Sequence, residues 1–168
     1  YVTQNIVWLT TSSLWKRMFL LNLSHLFDES LQAAQEWEFH CRALLKSPLY
    51  HVENNALVYL RKHANSITYN SNNSVRIWNY FKARLLLYQN LTCSAKTKEY
   101  LRIYLLQYFK KMVRNNHVKK SFTAFTSFII KESNSNLVIN IFFYLASTGS
   151  FFVFKRGYFL LNIINISK

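Results

Sequence analysis

The lysines and arginines are the chemically most informative residues of this chain, because they greatly outnumber the acidic residues. The 168-residue chain has 21 of them against 7 acidic residues, which gives a formal net charge of +14. Only Glu132 interrupts the positive charge beyond Glu99, and no acidic residue lies between Glu53 and Glu99. Such an excess of cations attracts polyanions, and each phosphate that it neutralises releases counterions. The sequence therefore indicates a partner that is either a nucleic acid or an anionic membrane surface.

Residues 118–131 predict an amphipathic helix that sets lysines against an apolar side. The apolar side comprises Val118, Phe122, Phe125, Phe128 and Ile129, and the other side comprises Lys119, Lys120, Thr123, Ser127 and Lys131. A solvated helix face usually mixes both signs of charge, so this pattern favours contact with nucleic acid. The candidate contacts with RNA phosphates are Arg61, Lys62, Lys110, Lys111, Arg114, Lys119, Lys120 and Lys131.

No arrangement of residues in the sequence supports catalysis or a bound metal. The five histidines lie scattered, and the chain has no phosphate-binding glycine loop, dinucleotide fingerprint or zinc spacing. His40 and Cys41 are sequence neighbours, but adjacent residues project to different sides of a helix, so we interpret them as buried packing residues. We expect a protein that is not an enzyme, with no cofactor and no small-molecule substrate.

The elements that must position the cations are predicted to be mostly helical, because two glycines and one proline interrupt the chain. Apolar periodicity predicts helices over 13–46, 75–90, 96–114 and 118–131, with a break at Asn115–Asn116. Two β-prone runs between Ala56 and Asn70 surround a polar turn and predict a hairpin.

The C-terminal segment from Leu137 to Ile166 allows two interpretations. Strand-prone residues flank Ser-Thr-Gly-Ser at 147–150, which predicts a β-hairpin. Alternatively, residues 137–154 form an uncharged run of the minimum length that crosses a bilayer, and Lys155 and Arg156 mark its edge. The hairpin is the preferred prediction, and the membrane span is the alternative.

Composition also bears on the compartment. The chain has 14 Phe and 11 Tyr and is rich in Asn, Lys and Ile, residues whose codons are rich in A and T. This bias suggests an organellar genome. The two cysteines are too few for a disulfide framework, so nothing points to an oxidising compartment.

Three segments resemble the KH-domain protein of the ribosomal small subunit, the third numbered protein of that subunit. The first covers 3–9 and Trp15–Arg17, the second is Ala56–Tyr69, and the third runs from Leu106 to Phe125. The third segment contains Leu106, Arg114 and the sequence Val118-Lys119-Lys120, which resembles the aromatic-basic-basic cluster of the family. The resemblance extends over residues 3–150. The family's Gly-X-X-Gly loop has no counterpart at 70–74, and the family's final strands have none beyond residue 149.

The resemblance implies an α+β fold, predominantly helical, with a KH-like unit of helix, two short strands and helix. A helical pair and a β-prone tail would follow this unit, with domains at 1–92 and 93–168. The implied protein is a divergent mitochondrial form, and completion by another polypeptide would explain why the family's final strands have no counterpart. It would be a structural constituent of the small subunit of the mitochondrial ribosome, in the matrix, bound to ribosomal RNA and other ribosomal proteins. Lys119 and Lys120 would contact messenger RNA near the channel entrance, with Arg114 as a neighbouring phosphate contact. The alternative is a subunit of a mitochondrial inner-membrane complex anchored by residues 137–154.

Overall fold

A computed structural model describes residues 1–46, 48–59, 74–89, 93–133 and 137–164 of the chain. Within these ranges the protein is built from helices joined by turns and irregular segments, and it contains no β-strand. A short 3-10 turn occurs at Thr10–Ser12. The α-helices are α1 (Arg17–Leu21), α2 (Gln35–Leu44), α3 (Ser74–Gln89), α4 (Ala95–Arg114), α5 (Val118–Ala124), α6 (Ile130–Glu132), α7 (Leu137–Phe154) and α8 (Tyr158–Ile163).

The predicted α+β fold with a KH-like unit is therefore wrong for the described part of the chain. The first β-prone run begins at Ala56, and residues 56–59 have no regular structure, while 60–70 lie outside the described residues. The predicted tail hairpin is also wrong, because its first half and its turn form the single helix α7 and α8 follows. Apolar runs rich in Phe, Ile and Val fit a helix as well as a strand, and period alone does not separate them.

Helices α3 and α4 pack against each other as an antiparallel pair, and α2, α5 and α7 pack on this pair. The bounds of α3 and α4 agree with the helices predicted at 75–90 and 96–114. Ser94 caps α4, since its side-chain oxygen accepts a hydrogen bond from the Thr97 amide at 3.2 Å. The central core draws buried side chains from both helices, including Phe81 and Phe109. The division predicted between residues 92 and 93 adjoins 90–92, outside the described residues, and stays a prediction.

The helix predicted over 118–131 forms, but a π-helical turn at Phe125–Ile129 joins α5 to α6. The extra residue in this turn rotates the two halves of the helix relative to each other. Phe125, Phe128 and Ile129 are buried as predicted. Val118 and Phe122 are exposed, contrary to the prediction, because Ser121 and Ala124 are the inward residues before the π turn.

The N-terminal part is less helical than the prediction for 13–46. Only α1 and α2 form there, and irregular chain joins them. The Asp28 carboxylate accepts hydrogen bonds from the amide and hydroxyl of Ser30, a local turn that competes with helix formation. Ala34, with φ 64°, precedes α2. Helix α2 then packs on α3, where Trp37 and Cys41 meet Ala83 and Leu87 in a second small core.

Candidate nucleic-acid interface

The turn between α4 and α5 brings the end of one helix to the start of the next. Asn116 adopts a left-handed conformation with φ 56°, and the His117 amide donates to the carbonyl of Met112 at 2.9 Å. A left-handed residue just beyond the last turn is a common way to end a helix. The cations on either side of this turn are Lys110, Lys111, Arg114, Lys119 and Lys120.

The start of α3 lies at the same end of the bundle. The Lys120 ammonium donates to the hydroxyl of Ser74 at 3.1 Å, which links α5 to the first residue of α3. The rings of Tyr80 and Tyr108 stack with centroids 5.9 Å apart, so the first turns of α3 face the last turns of α4. Arg76 places its guanidinium 5.4 Å from the Tyr80 ring and thereby joins these cations.

The C-terminal end of α7 completes the surface. The Asn116 side-chain amide donates to the carbonyl of Phe151 at 3.4 Å. The Arg114 guanidinium lies 5.9 Å from the ring of Tyr158, the first residue of α8. The connection between α7 and α8 contains Lys155 and Arg156, both exposed. We call the combined surface the basic end; it comprises Arg76, Lys110, Lys111, Arg114, Lys119, Lys120, Lys155 and Arg156.

The basic end is built from helices that carry almost no negative charge. Helices α3, α5, α7 and α8 contain no acidic residue, and α4 contains none after Glu99. The ion pairs of Arg42 with Glu38 and of Arg102 with Glu99 form elsewhere. Arg114 and Lys119 are exposed, whereas Lys110 is half-buried and desolvation lowers its pKa. The basic end therefore presents a positive electrostatic potential with little negative charge within it. Such a surface suits a partner with many negative charges, such as a nucleic acid, better than a single carboxylate side chain.

The structure thus brings together five of the eight cations predicted to contact RNA. Lys131 does not join them, because it lies eleven residues beyond Lys120 along the same helix, a rise of about 17 Å. It lines a separate cavity of about 450 Å³ with Lys98, near the Glu132 carboxylate, which accepts a 2.7 Å hydrogen bond from Tyr88. Arg61 and Lys62 lie outside the described residues.

Arg76, Lys155 and Arg156 are members of the basic end that sequence reasoning did not include in the RNA site. The position of Arg76 could have been predicted from the helix boundaries. In an antiparallel helix pair, the start of the first helix faces the end of the second, so Arg76 is expected near the lysines at the end of α4. Residues 76 and 110 are placed symmetrically about the connection near residue 93. Lys155 and Arg156 require the packing of α7 on α4, which no local pattern predicts.

Arg84 is a buried cation that the sequence did not single out. Its side chain is 1% exposed, and its guanidinium lies 4.4 Å from the ring centroids of both Trp37 and Tyr104. Tyr80 and Tyr108 add ring contacts at 5.3 and 5.4 Å. Cation–π contacts of this kind stabilise a guanidinium that has no carboxylate beside it. Arg84 is enclosed by these rings and is inaccessible to a polyanion.

His40 and Cys41 are both buried, in agreement with their interpretation as packing residues. The His40 Nδ1 lies 2.9 Å from the Tyr1 hydroxyl, and its ring contacts Trp8, Trp15 and Phe39. Burial lowers the pKa of His40 and raises that of the Cys41 thiol. Among the described residues, no three His, Cys, Asp or Glu side chains are placed to hold a metal ion.

No protein-family model, curated protein or solved structure matches this chain. The basic end is therefore interpreted from its own geometry and charge.

Proposed function

We propose that this protein is a non-catalytic structural constituent of the small subunit of the mitochondrial ribosome that binds ribosomal RNA through its basic end. The assignment to the small subunit rests on the sequence resemblance of the segment from Leu106 to Phe125. Lys119 and Lys120, which that segment contains, would contact messenger RNA near the channel entrance, and Arg114 would be a neighbouring phosphate contact. Other ribosomal proteins would be its neighbours in the mitochondrial matrix. The proposal does not require a KH scaffold.

The observation that carries the proposal is the meeting of cations from three helices and from the connection that follows α7 on one surface. Arg76 comes from α3, Arg114 from α4, Lys119 from α5 and Lys155 from the end of α7. Residues far apart in sequence would not converge in this way if each were an isolated solvating charge. Lysine and arginine side chains that span several helices can neutralise several phosphates of one folded RNA strand at the same time.

Binding of this kind positions an RNA without reading its sequence. Contacts to phosphates fix register and orientation, whereas discrimination between bases requires contacts to base edges. Nearby aromatic side chains such as Tyr80 and Tyr108 stack on each other and are thus engaged within the protein. We therefore expect affinity that depends strongly on salt and weakly on RNA sequence.

The test is the double substitution Lys119→Ala with Lys120→Ala, measured by fluorescence anisotropy with a labelled structured RNA over a range of salt concentrations. Each lost phosphate contact lowers the slope of log affinity against log salt by about 0.7–0.9. We expect the slope to fall by about 1.5 and the affinity to fall for every RNA sequence tried, because the contacts are to phosphates.

The matched control is Lys16→Ala with Arg17→Ala, an adjacent and exposed cationic pair at the start of α1. It removes the same charge from a surface outside the basic end, so its salt slope should stay close to that of the unsubstituted protein. Equal losses in the two variants would contradict the proposal, because only net charge would then matter.

A second candidate function is a subunit of a mitochondrial inner-membrane complex anchored by residues 137–154. It is favoured by a separate observation. In the described part of the chain, Leu137–Phe154 is one helix that is long and apolar enough to cross a membrane, with a mean hydropathy of 1.8 and 22% of it buried. If the protein sediments with ribosomal particles and leaves them as salt rises, the RNA proposal holds. If it stays with mitochondrial membranes through both high salt and alkaline carbonate, the second candidate holds.

A further inference from the structure

Helix α7 turns its most apolar side outward, which is unusual for a helix at the surface of a water-soluble protein. Its buried stripe contains Asn140, Tyr144, Ser147 and Phe151. The opposite face contains Val138, Phe142, Leu145, Phe152 and Val153, each 63–79% exposed. A helix at the surface of a soluble protein turns its polar side to water. We call this opposite, apolar side the outer face of α7.

The buried stripe of α7 is held in the protein by two polar contacts and by a ring contact. The Asn140 side-chain amide donates to the Ser133 hydroxyl at 2.7 Å. The hydroxyls of Tyr144 and Ser121 lie 3.2 Å apart, and the Tyr144 ring stacks on Phe125 with centroids 4.4 Å apart. These contacts fix the rotation of α7 about its axis, so the outer face points away from the bundle.

The packing of α7 indicates how the outer face can meet a bilayer. The helix is about 27 Å long, and it lies against α4 and runs antiparallel to α5, with Phe151 level with Asn116. If α7 crossed a bilayer upright while packed on α4, Lys110 and Lys111 would lie one to two helical turns deeper in the bilayer than Asn116. Both are only half-buried, so their ammonium groups would enter the hydrocarbon. A helix that lies in the plane of the membrane surface avoids this cost.

Charge around the outer face fits an anionic membrane surface. Lys155 and Arg156 follow α7 directly, and the sequence has no acidic residue after Glu132. Tyr158 and Phe159 at the start of α8 are exposed. Helices that bind in the membrane interface combine an apolar face with cations beside it that attract anionic lipids, and tyrosine is favoured at that depth.

We propose that the outer face of α7 docks in the plane of a bilayer containing anionic phospholipids, with Lys155 and Arg156 against the lipid phosphates. This inference goes beyond the proposed RNA binding, and it rests on the second candidate function only in assigning a lipid partner to residues 137–154. The docked helix inserts its outer face to the depth of the headgroup boundary and does not cross the membrane.

The experiment is flotation of the full chain with vesicles of phosphatidylcholine and phosphatidylglycerol, and with vesicles of phosphatidylcholine alone. Phe142→Glu with Leu145→Glu should lower the bound fraction about tenfold or more, because two carboxylates would enter an apolar environment. Lys155→Ala with Arg156→Ala should weaken binding to the vesicles that contain phosphatidylglycerol and leave binding to the phosphatidylcholine vesicles unchanged. The reason is that this variant loses the attraction to anionic lipids.

The matched control is Leu14→Glu with Met18→Glu, which adds the same charge at exposed apolar residues of the N-terminal part. It should float like the unsubstituted protein. Circular dichroism checks that all variants remain helical, and RNA binding by the Phe142 and Leu145 variant should be unchanged. Failure of lipid binding is therefore distinguishable from failure of RNA binding.

Three outcomes overturn the proposal. The first is flotation that the two glutamates do not reduce. The second is protein that stays with the vesicles after alkaline carbonate extraction, which would mean that residues 137–154 span the membrane. The third is a dimer in analytical ultracentrifugation that the same glutamates convert to monomer without any vesicle binding, which would mean that a second copy of the chain covers the outer face.

Discussion

At the scale of single residues, Arg84 poses a question of charge burial. It has four aromatic neighbours and donates one hydrogen bond, from Nη1 to the Tyr80 carbonyl at 3.2 Å. Its Nε and Nη2 atoms are buried without a hydrogen-bond partner in the described part of the chain. Removing a guanidinium from water costs several kcal/mol, and each cation–π contact returns about 0.5–2 kcal/mol. These opposing contributions to the free energy of folding are of similar size. The net contribution of Arg84 to stability therefore depends mainly on the volume that its side chain fills.

We predict that Arg84→Met changes the free energy of unfolding by about 1 kcal/mol or less, because methionine fills the same space without a buried charge. Arg84→Ala should cost about 3 kcal/mol or more, since it leaves a cavity among four rings. Urea denaturation followed by tryptophan fluorescence measures both changes, and the ring of Trp37 reports on the site directly. Equal losses in the two variants would mean that the charge itself holds the rings together.

At the scale of elements, α7 differs most from its prediction. The Ser-Thr-Gly-Ser sequence that indicates a turn lies inside the helix, with Gly149 on the outward side and Ser147 buried. A helix satisfies all its central backbone groups by itself, and a glycine within it costs about 1 kcal/mol relative to alanine. The inward hydrogen bonds and ring contacts of α7 outweigh that cost. The turn signal is therefore overridden by packing.

We predict opposite effects of substitutions on the two sides of α7. Gly149→Ala should raise the melting temperature by about 2–4 °C, because a Cβ there meets no atom within 4 Å and alanine is the better helix former. Ser147→Leu should lower the stability by about 1–3 kcal/mol through overpacking of a fully buried site. Calorimetry measures both. Destabilisation by Gly149→Ala would show that another surface packs on the outer face of α7 in solution.

At the scale of the whole molecule, the two proposed binding surfaces have different centres and share only Lys155 and Arg156, which follow the end of α7. The basic end lies at the tip of the helical pair, where α3 begins and α4 ends, whereas the outer face extends along the length of α7. The net charge of +14 attracts both RNA and anionic lipid. Only the outer face adds apolar area that lipid can bury. The two proposals together predict a protein that holds an RNA at a membrane surface.

We predict that a labelled RNA floats with anionic vesicles only when this protein is present. Lys119→Ala with Lys120→Ala should reduce the floated RNA because it weakens RNA contacts, and Phe142→Glu with Leu145→Glu should abolish the flotation because it removes membrane docking. The control is Leu14→Glu with Met18→Glu, which should support flotation normally. Complete competition between RNA and vesicles for the protein would contradict this arrangement, because Lys155 and Arg156 are the only cations that the two surfaces share.

The sequence alone determined that two long helices form at 75–90 and 96–114, and it determined the sign of the surface charge. The boundaries of α3 and α4 follow from local periodicity and from Asn115 and Asn116, which act within a few residues. The excess of cations is a property of composition. The tertiary structure decided what required distant contacts: the helical state of 137–154, the π turn at Phe125–Ile129, and the meeting of Arg76, Lys119 and Lys155 at one end. A local pattern specifies which conformations a segment can adopt, whereas the choice among them depends on the side chains that the rest of the fold places beside it.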